Sequence, residues 1–189
     1  MTAIALFGTS ADPPTTGHQA ILRWLSDRYD WVAVWASDNP YKQHQTSLDY
    51  RMVMLRLAIA DIDTQRNNIS LNPELSSSRS IETVTRAREQ WGTAVELTLV
   101  VGADLVPQLP RWYRAADLFR EVTLLIVPRL GYPLASEHLQ ALAAQGARYE
   151  IADFEPPAVS STAYRQARDR RAAIPSVEDY IHQQRLYAS

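Results

Sequence analysis

Two segments of this chain join small residues, hydroxyl groups and one basic side chain at the predicted start of a helix. In the first, the apolar run Ile4–Phe7 leads into Gly8-Thr9-Ser10, and the loop ends on Thr15-Thr16-Gly17-His18. The second reads Ser160-Ser161-Thr162-Ala163-Tyr164-Arg165. The exposed N–H groups and positive dipole end of a helix amino terminus attract anions, and small residues let a phosphate approach the backbone. Both segments therefore predict phosphate sites, and together with the histidine they indicate nucleotide chemistry.

Composition limits the classes of function. The 189 residues carry a formal charge of −2, so no general positive field would recruit nucleic acid or an anionic membrane. The absence of cysteine excludes disulfides, thiolate metal sites and a cysteine nucleophile, and it fits a reducing compartment. The amino-terminal residues resemble neither a signal peptide nor a membrane span. We therefore expect one soluble, cytoplasmic domain over residues 1–189, with no nucleic-acid or membrane partner.

Short apolar runs alternate with helical periodicity along the chain, which is typical of a parallel α/β sheet. We predict a single Rossmann-like, doubly wound domain whose mostly parallel sheet is flanked by helices. The predicted strands are Ile4–Phe7, Trp31–Trp35, Ile69–Leu71, Leu97–Val101, Val122–Val127 and Tyr149–Ile151. Apolar stripes predict helices within Ile21–Arg28, Leu48–Ile62, Ile81–Trp91, Ala135–Ala144, Ser161–Arg171 and Val177–Gln184.

In a doubly wound sheet, ligands bind at the carboxyl ends of the strands, where the winding direction reverses. The first predicted strand delivers the loop 8–18 to that edge. The run Leu97–Val101 delivers Gly102-Ala103-Asp104, a loop of small residues with a carboxylate. If these two strands are neighbours, both loops face one crevice, and the functional prediction depends on this arrangement.

The two segments also match known signatures. Neither G-x-G-x-x-G nor G-x-x-x-x-G-K-[ST] occurs, which disfavours an ordinary dehydrogenase or a P-loop kinase. Instead, Thr15–His18 and Val159–Arg165 resemble the [HT]-x-G-H and I-S-S-T-x-I-R motifs of the nucleotidylyltransferase superfamily. Within it, the chain resembles bacterial nicotinate-nucleotide adenylyltransferases over nearly its whole length, including Gly102–Asp104, Pro110–Tyr113 and Val127–Pro133.

The resemblance implies that a mononucleotide phosphate attacks the α-phosphorus of ATP and releases pyrophosphate, with Mg²⁺ accompanying ATP. His18 would then donate to the α-phosphate, with Thr15 beside it in place of the family's commoner histidine. Arg165 would hold the β- and γ-phosphates. Ser161 and Thr162 would assist it, and capping of the helix is compatible with that role. The further ATP contacts implied are Gly8, Thr9, Ser10, Gly17, Lys42, Gly102 and Asp104.

Four further charged residues are candidates for contacts with ATP or with Mg²⁺. Lys42 is the only lysine of the chain and corresponds to a family loop near the phosphates. Asp104 would order the ATP ribose or a Mg²⁺ shell, and Asp12 is a weaker candidate. Arg51 either reaches the same phosphates or is a solvated surface arginine, and the sequence favours neither.

The acceptor is predicted by fewer residues. In the family a tryptophan after the Gly-x-Asp segment stacks on the pyridine ring, which points to Trp112, although core burial would also explain this residue. Ser78-Arg79-Ser80 stands where the family has serine-tyrosine-threonine against the nicotinate carboxylate. An arginine can pair directly with a carboxylate. The resemblance therefore implies nicotinate mononucleotide as the acceptor.

Several alternatives remain at this point. Nicotinamide mononucleotide or phosphopantetheine could be the acceptor, or the chain could be a nucleotide-binding regulatory domain that has lost catalysis. A nucleic-acid module is disfavoured because there is no basic stripe. The sequence leaves the oligomeric state open, including a homo-oligomer.

Overall fold

The apolar runs form one sheet in the computed structural model, which describes residues 1–38 and 46–187. Its strands are β1 Ala3–Thr9, β2 Trp31–Ala36, β3 Ile69–Leu71, β4 Glu96–Gly102, β5 Thr123–Val127 and β6 Arg148–Ile151. Within the described ranges the α-helices are α1 Thr16–Arg28, α2 Leu48–Ala60, α3 Ser80–Trp91, α4 Ala115–Glu121, α5 Ser136–Ala144, α6 Ser161–Ala167 and α7 Pro175–Gln184.

The strand order is β3-β2-β1-β4-β5-β6, and each neighbouring pair is parallel. This is the order of a Rossmann-like, doubly wound sheet, so the predicted fold class is confirmed. The central strands are buried on both faces, which explains why they read as continuous apolar runs rather than as alternating patterns. The winding direction reverses between β1 and β4, and these two strands are neighbours, as the crevice prediction requires.

The pairing of β1 with β4 stops before either strand ends. The register pairs Ala3–Leu6 with Glu96–Leu99, whereas β1 remains paired with β2 as far as Thr9. Beyond Leu6 and Leu99 the two strands are no longer partners, so a gap opens between their carboxyl ends. The loops that follow Thr9 and Gly102 leave the sheet on the two sides of this gap.

Helices α6 and α7 are held by a second, smaller apolar cluster. Its buried members include Met54 of α2, Tyr164 of α6 and Ile181 of α7. Because α2 also packs on β2 and β3, this cluster fixes α6 relative to the sheet. The helix that begins with the second sequence motif is therefore positioned by packing rather than by a flexible connection.

The observed helices differ from the predicted ones in two places. Helix α4 was not predicted, because its seven residues are too few to show a helical period. Helix α6 was expected to continue to Arg171, but it ends at Ala167 because Arg168 adopts a left-handed conformation with φ of 50°. Among the described residues, no helix has the length and apolar character needed to cross a membrane.

Candidate active site

His18 lies in the first turn of α1 and is held through one of its two ring nitrogens. The backbone N–H of Thr15 donates to His18 Nδ1 at 2.9 Å, and Thr15 Oγ1 lies 2.9 Å from the same nitrogen. Since Nδ1 accepts, a neutral ring carries its proton on Nε2. That nitrogen lies 2.9 Å from Thr9 Oγ1, at the carboxyl end of β1. The imidazole therefore directs its N–H donor to Thr9 Oγ1, beside the gap between β1 and β4.

Thr15 is almost fully buried, with 1% of its surface exposed. Its hydroxyl and its backbone N–H both face the imidazole of His18, and its carbonyl accepts from the N–H of Gln19. A threonine at this position therefore fixes the orientation of the histidine ring. The predicted place of Thr15 beside His18 is observed.

The second motif contacts the first loop directly. Ser161 Oγ donates to the carbonyl of Pro13 at 2.8 Å, and Arg165 Nη1 donates to the carbonyl of Asp12. Ser160 caps α6, because its Oγ accepts from the N–H of Ala163 at 3.0 Å. Thr162 is exposed at this helix start. The helix cap and the contact with the first loop are thus made by different serines.

Two glycines that flank the first loop, Gly8 near the end of β1 and Gly17 in the first turn of α1, are required by close packing. A Cβ on Gly17 would lie 3.1 Å from Val159 Cγ2, so the two motifs approach as closely as they do because residue 17 has no side chain. A Cβ on Gly8 would lie 2.6 Å from the indole ring of Trp35 on β2. Both contacts fix the path of the backbone between β1 and α1.

We expect Gly8→Ala to destabilise the protein by about 1–3 kcal/mol, because the new methyl group overlaps a buried ring that has little room to move. Urea unfolding monitored by circular dichroism measures this loss. Trp35→Phe removes the indole atoms that the methyl group would meet. The double variant should therefore lose less stability than the two single losses added together, and additive losses would contradict this packing.

Across the crevice, Asp104 follows β4 and forms an ion pair. Arg129 Nη1 donates to Asp104 Oδ2 at 2.9 Å, and the other carboxylate oxygen crowds Gly102, where a Cβ would lie 2.5 Å from Oδ1. Arg129 comes from the Val127–Pro133 segment, whose contact with Asp104 the sequence did not predict.

The described residues offer no dedicated metal cage. They contain no group of three or more histidine, cysteine, aspartate or glutamate side chains that could hold an ion.

Arg51 is buried, with 2% of its surface exposed, so the solvated alternative is wrong. Its Nη1 donates to the carbonyls of Ser10 at 2.9 Å and of Ser37 at 2.8 Å. Burial lowers the pKa of its guanidinium, and the nearby carboxylate of Asp12 opposes this effect. Arg51 therefore connects the loop after β1 to the loop after β2. Lys42, the other predicted cation of this region, lies outside the described residues.

The predicted acceptor residues come from two segments that meet. The guanidinium of Arg79 lies over the ring of Tyr113 at 4.1 Å, and it pairs with Glu82 at 3.6 Å. Trp112 is half-buried and packs against the core. Ser78 is exposed and Ser80 begins α3. The structure thus brings Arg79 against Tyr113, the neighbour of Trp112 in the sequence.

Comparison with known proteins identifies the family. The cytidylyltransferase-like family model matches residues 6–167. A probable nicotinate-nucleotide adenylyltransferase of Synechocystis sp. is 42% identical, over 97% of this chain and 98% of the relative. A probable nicotinate-nucleotide adenylyltransferase of Laribacter hongkongensis is 32% identical, over 99% of this chain and 95% of the relative. The nicotinate-nucleotide adenylyltransferase of Bacillus subtilis is 25% identical over the full length of both chains.

Solved structures show the same fold. The Plasmodium falciparum nicotinic acid mononucleotide adenylyltransferase complexed with NaAD superimposes with a TM-score of 0.78 at 19% identity, over 99% of this chain and 98% of that one. The complex of the same enzyme with APC gives a TM-score of 0.80. The matched region includes both phosphate motifs as far as Arg165, and the relatives are matched over nearly their whole length. The chain therefore belongs to the cytidylyltransferase-like family and, within it, to the nicotinate-nucleotide adenylyltransferases.

Proposed function

We propose that this protein transfers the adenylyl group of ATP to nicotinate mononucleotide, forming deamido-NAD and pyrophosphate. The observation that carries the proposal is the position of His18 Nε2. It lies at the carboxyl end of β1, beside the gap between β1 and β4, with the second phosphate motif packed on the same loop. The family indicates the reaction, and this geometry supports His18 and the second motif as groups that act in it.

The reaction needs alignment and charge stabilisation more than proton transfer. The 5′-phosphate of the acceptor is already an anionic nucleophile, so its oxygen attacks the α-phosphorus of ATP without a general base. The bond from the α-phosphorus to the bridging oxygen breaks, and pyrophosphate leaves with that oxygen and its electron pair. In this step His18 Nε2–H donates to the oxygens of the α-phosphate, where charge is redistributed. Thr15 keeps the ring in the tautomer that can donate.

Arg165 and the start of α6 hold the leaving group. One guanidinium N–H of Arg165 is fixed on the Asp12 carbonyl, and its Nε is buried without an acceptor among the described residues. A guanidinium that is anchored through one nitrogen can present its remaining N–H groups to phosphate oxygens. Ser161 and Thr162 stand at the amino terminus of the same helix, where N–H groups face an anion. Mg²⁺ would arrive with ATP and neutralise the β- and γ-phosphates.

The remaining ATP contacts follow from the loops on the two sides of the gap. Gly8, Thr9, Ser10 and Gly17 would present backbone groups to the phosphates, and Gly102 and Asp104 would contact the ribose. Lys42 remains a prediction for the phosphates, and the cytoplasmic location also remains a prediction.

Product analysis tests the proposed function. The protein is incubated with ATP, Mg²⁺ and one of three acceptors, namely nicotinate mononucleotide, nicotinamide mononucleotide or phosphopantetheine. The products are then identified by mass. We expect deamido-NAD and pyrophosphate from the first acceptor. Efficient adenylylation of phosphopantetheine alone, or of no acceptor, would contradict the proposal.

We further expect the protein to prefer the acid over the amide acceptor by at least about tenfold in kcat/KM, about 1.4 kcal/mol, which one charge-assisted hydrogen bond can supply. Among residues 78–80, Arg79 is the cationic candidate for the donor of that bond. Arg79→Ala should narrow the preference, whereas Trp112→Ala should weaken both acceptors alike because stacking does not distinguish them. Steady-state kinetics with both acceptors measure the two effects.

Glu82→Gln is the matched control for Arg79. It removes the carboxylate that competes for the guanidinium at 3.6 Å and leaves the stacking on Tyr113 in place. The preference for the acid should persist or widen in this variant. Equal use of both acceptors by the wild-type protein would contradict the assignment of Arg79 while leaving adenylyl transfer intact.

A further inference from the structure

Tyr187 follows α7, and its side chain returns to the first phosphate loop. Its hydroxyl donates to Asp12 Oδ1 at 2.6 Å. Its backbone carbonyl accepts from Arg168 Nη2, at the end of α6, at 3.0 Å. The carboxyl-terminal segment is thus attached both to the loop between β1 and α1 and to the helix that carries Arg165.

Asp12 is the junction of these contacts. It is 3% exposed, and Thr46 Oγ1 donates to the same carboxylate oxygen as Tyr187, at 2.7 Å. The backbone carbonyl of Asp12 accepts from Arg165 Nη1. The side chain of one residue is therefore held by Tyr187 and Thr46, while its backbone holds the arginine of the second motif.

This arrangement has a consequence for the bound nucleotide. A buried carboxylate in a phosphate-binding loop repels the phosphates unless it is turned away and hydrogen-bonded. Two hydroxyl donors on Asp12 Oδ1 hold it in one orientation. Burial and the neighbouring carboxylate raise the pKa of Tyr187, which keeps the phenol protonated as a donor.

We propose that Tyr187 is a positioning residue for the triphosphate site, acting through Asp12 on the orientation of Arg165. The proposal rests on the proposed function in one respect, namely that Arg165 binds ATP phosphates. Without the phenol hydroxyl, the Asp12 side chain loses one of its donors. Its backbone carbonyl then holds the guanidinium less firmly rather than not at all, because Thr46 remains as a donor to the same carboxylate.

The test is the affinity for α,β-methylene-ATP, measured by titration calorimetry with Mg²⁺. Tyr187→Phe removes the hydroxyl and keeps the ring. We expect about fivefold weaker binding, which corresponds to about 1 kcal/mol, the usual net contribution of one hydrogen bond. In steady state, KM for ATP should rise while KM for nicotinate mononucleotide stays unchanged.

Tyr180→Phe is the matched control. Tyr180 lies on α7, is half-buried and packs on Tyr50. The same deletion of one hydroxyl at this position should leave the affinity for the analogue unchanged.

Thr46→Val supplies a second, independent readout. Thr46 and Tyr187 donate to the same oxygen. The fold loss of affinity in the double variant should therefore differ from the product of the fold losses in the two single variants. Strict multiplication of the two losses would show that they do not act through Asp12.

Two further outcomes separate this role from others. A Tyr187→Phe protein that melts at a lower temperature but binds the analogue like the wild type would show a purely structural role and overturn the proposal. Analogue binding needs no acceptor. A wild-type protein that forms no dinucleotide would therefore contradict the proposed function alone, and the ratio of dissociation constants would still decide the role of Tyr187.

Discussion

Replacing His18 with alanine should lower kcat by at least about a hundredfold, because loss of one preorganised donor to developing charge typically costs that much or more. The affinity for ATP should change far less, since most contacts with the triphosphate come from other groups. In the proposed mechanism, His18 Nε2–H strengthens its hydrogen bond only when the α-phosphate gains charge in the transition state. Steady-state kinetics with deamido-NAD as the measured product give both parameters.

His138→Ala is the control for this substitution. His138 lies on α5, its side chain is 38% exposed, and its ring nitrogen is 3.8 Å from the adjacent Glu137. This variant should keep wild-type kinetics. If the His18 variant, folded by circular dichroism, also keeps near-wild-type kcat, then His18 only contributes to the first turn of α1 and the mechanism is wrong.

Replacing Arg165 with alanine should mainly raise KM for ATP and weaken pyrophosphate as a substrate of the reverse reaction. A charge-assisted bidentate contact contributes about 1.5–3 kcal/mol, so we expect roughly a tenfold to hundredfold effect. Arg165→Lys keeps the charge and loses the planar fork, and it should lie between the wild type and the alanine variant.

Arg170→Ala provides the matched loss of a cation. Arg170 is exposed and follows α6 in the next short helical turn, and this variant should leave both parameters unchanged. Unchanged ATP and pyrophosphate kinetics in Arg165→Ala would remove the second motif from the triphosphate site.

The sheet was predictable because parallel strands buried on both faces leave a strong apolar signal. The run Leu97–Val101 and its neighbours in the sheet are continuous apolar segments of this kind. The alternation of strands and helices along the chain then limits the number of topologies. The placement of the loops after β1 and β4 at one crevice was predictable for the same reason, because β1 and β4 are neighbours where the winding direction reverses. Helix α4 was not predictable, since seven residues do not establish a period.

The buried polar contacts were not predictable from local sequence. Arg51 begins a helix like any surface arginine, and only the tertiary structure brings the carbonyls of Ser10 and Ser37 to it. The contact between Tyr187 and Asp12 joins residues 175 positions apart. The pairing of Arg129 with Asp104 depends on the adjacency of β4 and β5. In each case the sequence gives the type of the residue, but its hydrogen-bonding partner is known only from the three-dimensional structure.

The path of one oxygen atom tests the central claim most directly. ATP carrying ¹⁸O in the bridge between the α- and β-phosphates is supplied with nicotinate mononucleotide and Mg²⁺, and the products are separated and weighed by mass spectrometry. Attack on the α-phosphorus predicts ¹⁸O in pyrophosphate and an unlabelled deamido-NAD. Label retained in AMP or in the nucleotide product, or the absence of any dinucleotide, would contradict adenylyl transfer by this site.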